Sequence, residues 1–344
     1  MVKVITFGCR INAYEAEVIK EKLKDFAKLI VINTCAVTGE AERQCRQTIR
    51  KLKREYPDYD IIVTGCSAQI SADKLAEMPE VSLVLGNNEK KDIENYVGAV
   101  FADKKQVGDI FAAQDCDDYL VTGFEGRHKA FVQVQQGCNH RCTYCIIPYA
   151  RGKNRSVPPE LIVAQIRKLL DAGFKEICLT GIDICSYRPS FSALAAYILQ
   201  QVMDIPTLTF GSLDPAAIDD DFIDIISNNN NILPFFHLSI QSGSNDVLRR
   251  MGRRHTREDV IELCRKIRQV RPEVKFGADF ICGFPGETED DFKQTCLLVS
   301  EAGLNRLHVF PYSERSGTPA AKMVQLPMAE RRRRAAVLRK LSEE

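Results

Sequence analysis

The sequence of 344 residues has no tryptophan and only five histidines. It also has no apolar run long enough to cross a bilayer. The apolar stretch near its start, residues 4–7, is too short for the apolar core of a signal peptide. Basic residues outnumber acidic ones by one, so net charge gives no general indication of nucleic-acid binding. These absences predict a cytoplasmic protein with no membrane partner, in which any contact with RNA comes from local patches.

Cysteine, by contrast, is abundant, with thirteen residues. Thiols stay reduced in the cytosol, so metal ligands or small core residues are expected rather than a disulfide framework. Cys138, Cys142 and Cys145 have the spacing C-x3-C-x2-C. Residues 130–135 before them alternate apolar and polar like a strand, and residues 146–152 after them show no helical period. The thiols are therefore predicted on a loop at the carboxyl end of a strand, where α/β proteins usually place their chemistry.

Three thiolates are one too few for a closed zinc site or a fully ligated [4Fe–4S] cluster. A cube held by three cysteines leaves one iron open, and S-adenosylmethionine (SAM) could chelate that iron through its amino and carboxylate groups. An electron from the cluster could then cleave the cofactor to a carbon radical. Tyr144 lies within the motif, where it could cover an adenine. The alternatives are a zinc knuckle without its fourth ligand, or unrelated core cysteines.

A second set of cysteines follows successive predicted strands near the amino terminus. Strands predicted at 2–7, 29–33, 60–64 and 81–86 alternate with helices, which favours a parallel, Rossmann-like sheet. Cys9, Cys35 and Cys66 each occupy the first turn after one of the first three strands. Because the carboxyl ends of parallel strands share one edge, these thiols are expected to converge as a second three-thiolate site. For any one of them alone, a buried core cysteine is the simpler interpretation.

From residue 129 onward a strand–helix rhythm repeats about six times. Six units are too few for a complete eight-stranded barrel, so the sequence predicts an open, partial (β/α)6 barrel of the TIM type. The strands are predicted at 131–135, 176–180, 207–213, 235–241, 275–282 and 306–312. The predicted domains are an N-terminal domain at 1–100, a linker at 101–128, the barrel at 129–325 and a basic helix at 326–344.

The run GCNHRCTYCIIPYARG at 137–152 resembles the radical SAM superfamily and, within it, the methylthiotransferases. Residues 6–15, 33–38 and 63–69 resemble the three signature segments of that family's N-terminal domain. The resemblance implies two [4Fe–4S] clusters, one on each cysteine triad. It also implies that SAM is bound at the barrel's strand ends. The implied SAM-binding residues are Tyr144, Gly181, Ser212, Gln241 and Ile281.

The function implied by this resemblance is tRNA modification. A methylthio group would be inserted at C2 of N6-threonylcarbamoyladenosine 37 in the anticodon loop, with electrons from a donor such as flavodoxin or ferredoxin. One SAM would methylate sulfur on the second cluster, and another would be cleaved to the radical that removes the C2 hydrogen. Within the family, the alternative substrates are N6-isopentenyladenosine 37 of tRNA and an aspartate of a ribosomal protein. A catalytically inactive iron–sulfur or RNA-binding relative is the alternative from another class.

The sequence departs from the family in two places. Residues 182–185 read I-D-I-C, where the family pattern is closer to I-N-I-G. The sequence also ends before the small β-barrel, the TRAM domain, with which family members grip tRNA. A basic helix is predicted from about residue 328, and a run of arginines can contact phosphates, although a solvated helix face is the commoner outcome. The candidate RNA-binding residues are Arg331, Arg332, Arg333 and Arg334.

Overall fold

A computed structural model describes residues 2–97, 103–116 and 119–342 of the chain. The chain packs as two compact units, the first formed by Met1–Asn139 with Ile146–Ile182 and the second by His140–Cys145 with Asp183–Glu344. Of the predicted linker and C-terminal segment, residues 101, 102, 117, 118, 343 and 344 lie outside the described residues. None of the described helices is both long and apolar enough to cross a membrane.

The first unit is built on a parallel five-stranded sheet in the order β1-β2-β3-β4-β5. Every residue of β2 is buried, as expected for a strand covered on both faces. Its apolar side chains alternate between two core clusters, with Ile30 and Ile32 in one and Leu29 and Val31 in the other. The strands are Val2–Thr6 (β1), Leu29–Thr34 (β2), Asp60–Gly65 (β3), Leu83–Leu85 (β4) and Lys105–Gln106 (β5).

Helices connect these strands. The longest of them, α2, begins at an N-cap where the Thr38 hydroxyl accepts a hydrogen bond from Ala41 N. The helices are Arg10–Lys22 (α1), Gly39–Glu55 (α2), Cys66–Ile70 (α3), Ala72–Ala76 (α4) and Glu94–Val97 (α5).

The remainder of the first unit begins the strand–helix series. Strands Lys129–Gln133 (β6) and Glu176–Thr180 (β9) pair in parallel, and Gln135–Gln136 (β7) pairs antiparallel with Arg155–Ser156 (β8). The helices here are Ile147–Arg151 (α6) and Pro159–Asp171 (α7), the latter with proline at its start.

The second unit continues the series with a parallel sheet in the order β11-β12-β13. Helices α11 and α12 each begin with a capping box, at Thr256 and Thr288. The strands are Thr207–Phe210 (β10), Phe235–Gln241 (β11), Lys275–Cys282 (β12) and Leu304–Pro311 (β13). The helices are Phe191–Gln201 (α8), Asp220–Asn228 (α9), Asn245–Met251 (α10), Arg257–Val270 (α11), Glu289–Glu301 (α12) and Met328–Lys340 (α13).

The predicted fold class is confirmed. The first unit carries the parallel N-terminal sheet, and β6, β9, β10, β11, β12 and β13 are the six predicted strands of the partial barrel. Residues 146–152 show no helical period, yet α6 occupies 147–151, because a five-residue helix is too short to show a period.

Candidate functional site

Three cysteines lie at the carboxyl ends of adjacent parallel strands in the first unit. Cys9 is the N-cap of α1 in the turn that follows β1, Cys35 follows β2, and Cys66 opens α3 at the end of β3. Cys35 and Cys66 are buried, whereas Cys9 is exposed, so this edge of the sheet is open on one side. No cysteine among the described residues forms a disulfide. The structure therefore brings the three predicted ligands of the second cluster to one edge.

Two glycines allow the cysteine-bearing turns to approach each other. Gly8 has φ +94°, and a Cβ atom there would lie 2.7 Å from the Cys35 sulfur. Gly65, also at φ +94°, would place a Cβ atom 2.5 Å from the backbone N and O of Thr34. Such distances leave no room for a side chain, so these turns require glycine.

Replacing Gly65 with alanine is expected to lower the free energy of unfolding by about 2–5 kcal/mol, from backbone strain plus the clash with Thr34. Gly173 is a matched control, since its φ is +91° and no atom lies within 4 Å of the added Cβ. Gly173→Ala should cost about 1 kcal/mol. Urea denaturation followed by circular dichroism measures both. Equal losses in the two variants would show that close approach at Gly65 is unimportant.

A buried polar network, which the sequence analysis missed, lies beside these cysteines. The guanidinium of Arg151 donates from Nε to the Cys66 sulfur at 3.1 Å and from Nη2 to Asn12 Oδ1 at 2.5 Å. Glu15 accepts a further hydrogen bond from Arg151 Nη2 at 3.0 Å and pairs with Lys90 at 2.7 Å. Burial alone raises the pKa of Glu15, but the charges of Arg151 and Lys90 outweigh burial and hold that pKa well below its usual range.

The chemistry of this edge fits a metal cluster. Burial raises the pKa of the Cys35 thiol to about 12, so this thiol is protonated at neutral pH and a bound metal would displace its proton. A positive guanidinium close to Cys66 offsets the negative charge that the sulfurs carry once deprotonated. Three thiols, an open side and an adjacent cation suit a cluster with one open iron better than a closed site with four protein ligands.

The other triad lies on the loop after β7. Cys138 belongs to the first unit, and Cys142 and Cys145 belong to the second. Thr143 fixes the second part of the loop, because its N–H donates to Met251 O at 2.9 Å and its hydroxyl to Arg250 O at 2.8 Å. The loop is therefore held against the end of α10 without contributing to a helix or strand of its own.

An arginine also lies beside this triad. Arg253 Nη1 is 3.8 Å from the Cys142 sulfur, and Nη2 donates to Asp214 Oδ1 at 3.1 Å and to Ser239 O at 2.6 Å. A guanidinium group thus lies beside one cysteine of each triad, Arg151 at Cys66 and Arg253 at Cys142.

The residues predicted to bind SAM lie in different surroundings. Tyr144 and Ile281 pack against one apolar cluster of the second unit, which includes Phe284 and Tyr312. Gln241 has φ +77°, a strained conformation for a residue with a side chain and one often found at functional sites. The fifth residue, Gly181, belongs to the first unit.

Ser212, also predicted to bind SAM, belongs to a polar group that sequence analysis did not assemble. Its hydroxyl lies 3.0 Å from His237 Nδ1 and 3.3 Å from Asp279 Oδ2. Asp279 Oδ1 is 3.4 Å from His308 Nδ1. The two histidines and the aspartate come from β11, β12 and β13, so no local motif connects them in the sequence.

The predicted basic helix exists as α13, but it does not present all four arginines to solvent. Arg331 is buried and donates to the carbonyl oxygens of Leu326 and Tyr312. Arg334 is buried and pairs with Glu287 at 2.7 Å. These two guanidinium groups are not available to phosphate, while Arg332 and Arg333 are exposed.

Comparisons with known proteins indicate the family to which the chain belongs. A sequence profile of the radical SAM superfamily matches residues 132–299, and a profile of an uncharacterised protein family, UPF0004, matches residues 1–86. The chain is 47% identical to the threonylcarbamoyladenosine tRNA methylthiotransferase MtaB of Rickettsia prowazekii, over 98% of this chain and 82% of that protein. It is 38% identical to MtaB of Bacillus subtilis, over 92% of this chain and 74% of that protein.

More distant relatives extend the comparison. A tRNA-2-methylthio-N6-dimethylallyladenosine synthase of Staphylococcus aureus is 35% identical over 92% of this chain and 66% of that protein. Among solved structures, the radical SAM methyltransferase TsrM of Kitasatospora setae has the same fold, with a TM-score of 0.72 at 14% identity, over 93% of this chain and 73% of that chain. By its similarity to the MtaB proteins across nearly its whole length, the chain belongs to the radical SAM methylthiotransferase family, in the branch called MtaB.

Proposed function

We propose that this enzyme inserts a methylthio group at C2 of N6-threonylcarbamoyladenosine 37 in the anticodon loop of tRNA. Similarity to the MtaB proteins over 98% of the chain carries the proposal, because those proteins are named for this nucleoside. Cytoplasmic tRNA is the substrate, and a small electron-transfer protein of the flavodoxin or ferredoxin type supplies electrons.

Each of the two cysteine triads holds a different cluster. Cys138, Cys142 and Cys145 hold the cluster that binds SAM, and Cys9, Cys35 and Cys66 hold a second [4Fe–4S] cluster. When bound, SAM and the first cluster together would supply the radical that breaks an unactivated aromatic C–H bond, and the second cluster would supply the sulfur that replaces the hydrogen.

The chain's own residues position these groups and the substrate. Arg253 and Thr143 fix the loop that carries Cys142, and Tyr144 and Ile281 provide an apolar surface for the adenine of SAM. Ser212 and Gln241 provide polar atoms at other strand ends of the second unit. Holding reacting groups in a fixed geometry is the main contribution that a protein makes to such a reaction.

The test is a comparison of tRNA nucleosides from cells with and without the gene, by mass spectrometry after digestion. The 2-methylthio derivative of N6-threonylcarbamoyladenosine should disappear on deletion, return with the 344-residue chain and stay absent with its Cys142→Ala variant. Loss of the 2-methylthio isopentenyl nucleoside instead would assign the enzyme to the other nucleoside. No change in either nucleoside would overturn the proposal.

Arg332 is the arginine of α13 that we propose for contact with tRNA phosphate. It is exposed, and its side chain has no ion-pair partner within residues 2–97, 103–116 and 119–342. Arg332→Gln should reduce the slope of log K against log salt for tRNA binding by about 0.7–0.9, the release of one counterion. Arg265→Gln is the control, since Arg265 is exposed on α11 and pairs with Glu262 at 2.6 Å. Equal slopes for Arg332→Gln and the unaltered protein would exclude a phosphate contact.

A further inference from the structure

Arg151 is an unusual residue to find enclosed by protein. It ends α6, is 1% exposed and is among the largest fully buried side chains. Its Nε donates to the Cys66 sulfur, Nη2 donates to Asn12 and Glu15, and Nη1 donates to Glu15. Every nitrogen of the guanidinium therefore has a partner, and one of these partners is a proposed cluster ligand.

The charges around Arg151 leave an excess of positive charge. Among the residues that the structure describes, Glu15 is the one carboxylate that pairs with Arg151, and it also pairs with Lys90, which is 5% exposed. Two buried cations thus share a single buried anion in this network. Unpaired buried charge is strongly destabilising, so a further anion beside Arg151 is favoured, and the Cys66 sulfur lies in that position.

We propose that Arg151 is a positioning residue for the second cluster. Its guanidinium group donates a hydrogen bond to the ligating sulfur of Cys66 and offsets the charge of the cluster. This inference rests on the proposed assignment of a cluster to Cys9, Cys35 and Cys66. A hydrogen bond to sulfur and a nearby positive charge both raise the reduction potential of an iron–sulfur cluster.

Asn12 connects Arg151 through hydrogen bonds to the two other turns that carry cysteines. Asn12 accepts from Arg151 Nη2, and its own Nδ2 donates to Phe7 O at 2.7 Å and to Thr34 O at 2.9 Å. Phe7 and Thr34 directly precede the turns that carry Cys9 and Cys35. A single guanidinium therefore connects to all three strand ends. The planar fork of arginine can bond Cys66, Asn12 and Glu15 at once, whereas a lysine ammonium cannot reproduce this geometry.

Arg151 is close in sequence to the cysteines of the other triad. Arg151 lies six residues after Cys145, inside the stretch matched by the radical SAM profile. Its helix nevertheless packs in the first unit, where Ile146 and Ala150 share an apolar cluster with Ala36 and Cys66. The segment that follows one triad thus supports the site of the other.

The test uses the full chain with Cys138, Cys142 and Cys145 all changed to alanine, so that only the second cluster remains. In this background Arg151→Gln should shift the midpoint potential of the cluster to a more negative value, because a stabilising positive charge is lost. Loss of iron to a chelator should also become faster, because removing the hydrogen-bond partner of a metal ligand typically lowers metal affinity by roughly 10–100-fold. Arg151→Lys keeps the charge but not the fork, so faster iron loss with a smaller shift in potential is expected.

The control is Arg271→Gln, which removes another buried arginine. Arg271 donates to the carbonyl oxygens of Ile226 and Ile232 and has no hydrogen bond to a cysteine within the described part of the chain, so the potential should not change. If the background protein binds no iron, the cluster assignment itself fails. If iron is bound but both the potential and the rate of iron loss are unchanged in Arg151→Gln and Arg151→Lys, the role of Arg151 is overturned. Should Arg151→Gln fail to fold, the iron-loss rate of Arg151→Lys decides.

Discussion

Replacing Cys9 with alanine is expected to stop methylthiolation of tRNA completely while SAM cleavage continues. Cys9 is exposed, so its substitution removes a proposed ligand of the second cluster with little effect on packing. Cys142 is a proposed ligand of the other cluster, so Cys142→Ala should stop both SAM cleavage and methylthiolation. The two products are measured separately, 5′-deoxyadenosine by chromatography and the methylthio nucleoside by mass spectrometry, on anaerobically reconstituted protein.

Cys45→Ala is the matched control, because Cys45 is a cysteine of the same unit that packs in its core. It should keep both activities and the full iron content, whereas Cys9→Ala and Cys142→Ala should each lose about half of the iron. Methylthiolated tRNA from the Cys9→Ala protein would contradict the two-cluster assignment. Loss of SAM cleavage in that variant would instead show that the two sites do not act separately.

The positions of both sets of cysteines in the fold could be predicted from the sequence, because the strands that precede them are easy to predict. The strands before Cys35 and Cys66 are continuous apolar runs, which is typical of a parallel sheet with both faces covered. A cysteine directly after such a strand must lie at the sheet's carboxyl edge, regardless of the conformation of the loop that follows. Placement of Cys9, Cys35 and Cys66 along one edge therefore follows from topology alone.

The polar network around Arg151 could not be found in this way. Its members come from α1, a turn near residue 90 and α6, and their contacts depend on how these elements pack. One signal was present in the sequence, since Asn12 and Glu15 lie on the buried face of α1, where apolar residues are expected. Buried polar residues need partners, so their presence on that face indicates a site even before the partners are known.

For the arginine run of α13, the sequence could not show which side chains are buried and which are exposed. Four consecutive basic residues look alike in the sequence, but a helix turns successive side chains about 100° apart. Arg331 and Arg334 are three positions apart and face the protein, whereas Arg332 and Arg333 face outward. Charge counting alone could not separate the arginines that stabilise the fold from those open to a ligand.

Replacing Glu15 with glutamine should reduce the free energy of unfolding at pH 7 by about 3–5 kcal/mol. The change leaves Arg151 and Lys90 buried without their shared anion. Unfolding of the apo protein in urea is followed by circular dichroism, since the chain has no tryptophan. Glu40→Gln is the control: Glu40 is an exposed helix residue paired with Arg43 at 2.6 Å, and because such surface pairs contribute little, its loss should leave the stability nearly unchanged.

The pH dependence of this difference identifies its cause. The pKa of Glu15 is depressed in the folded protein, so its contribution is complete above the unfolded-state value of about 4.5 and declines as the pH falls below it. The gap in stability between the unaltered protein and Glu15→Gln should therefore shrink as the pH falls from about 5 to about 3. A gap that stays the same down to pH 3 would mean that glutamine disturbs packing rather than charge. Because Glu15 anchors Arg151 beside Cys66, loss of this carboxylate is also expected to loosen the proposed cluster site, which links the stability of the first unit to its chemistry.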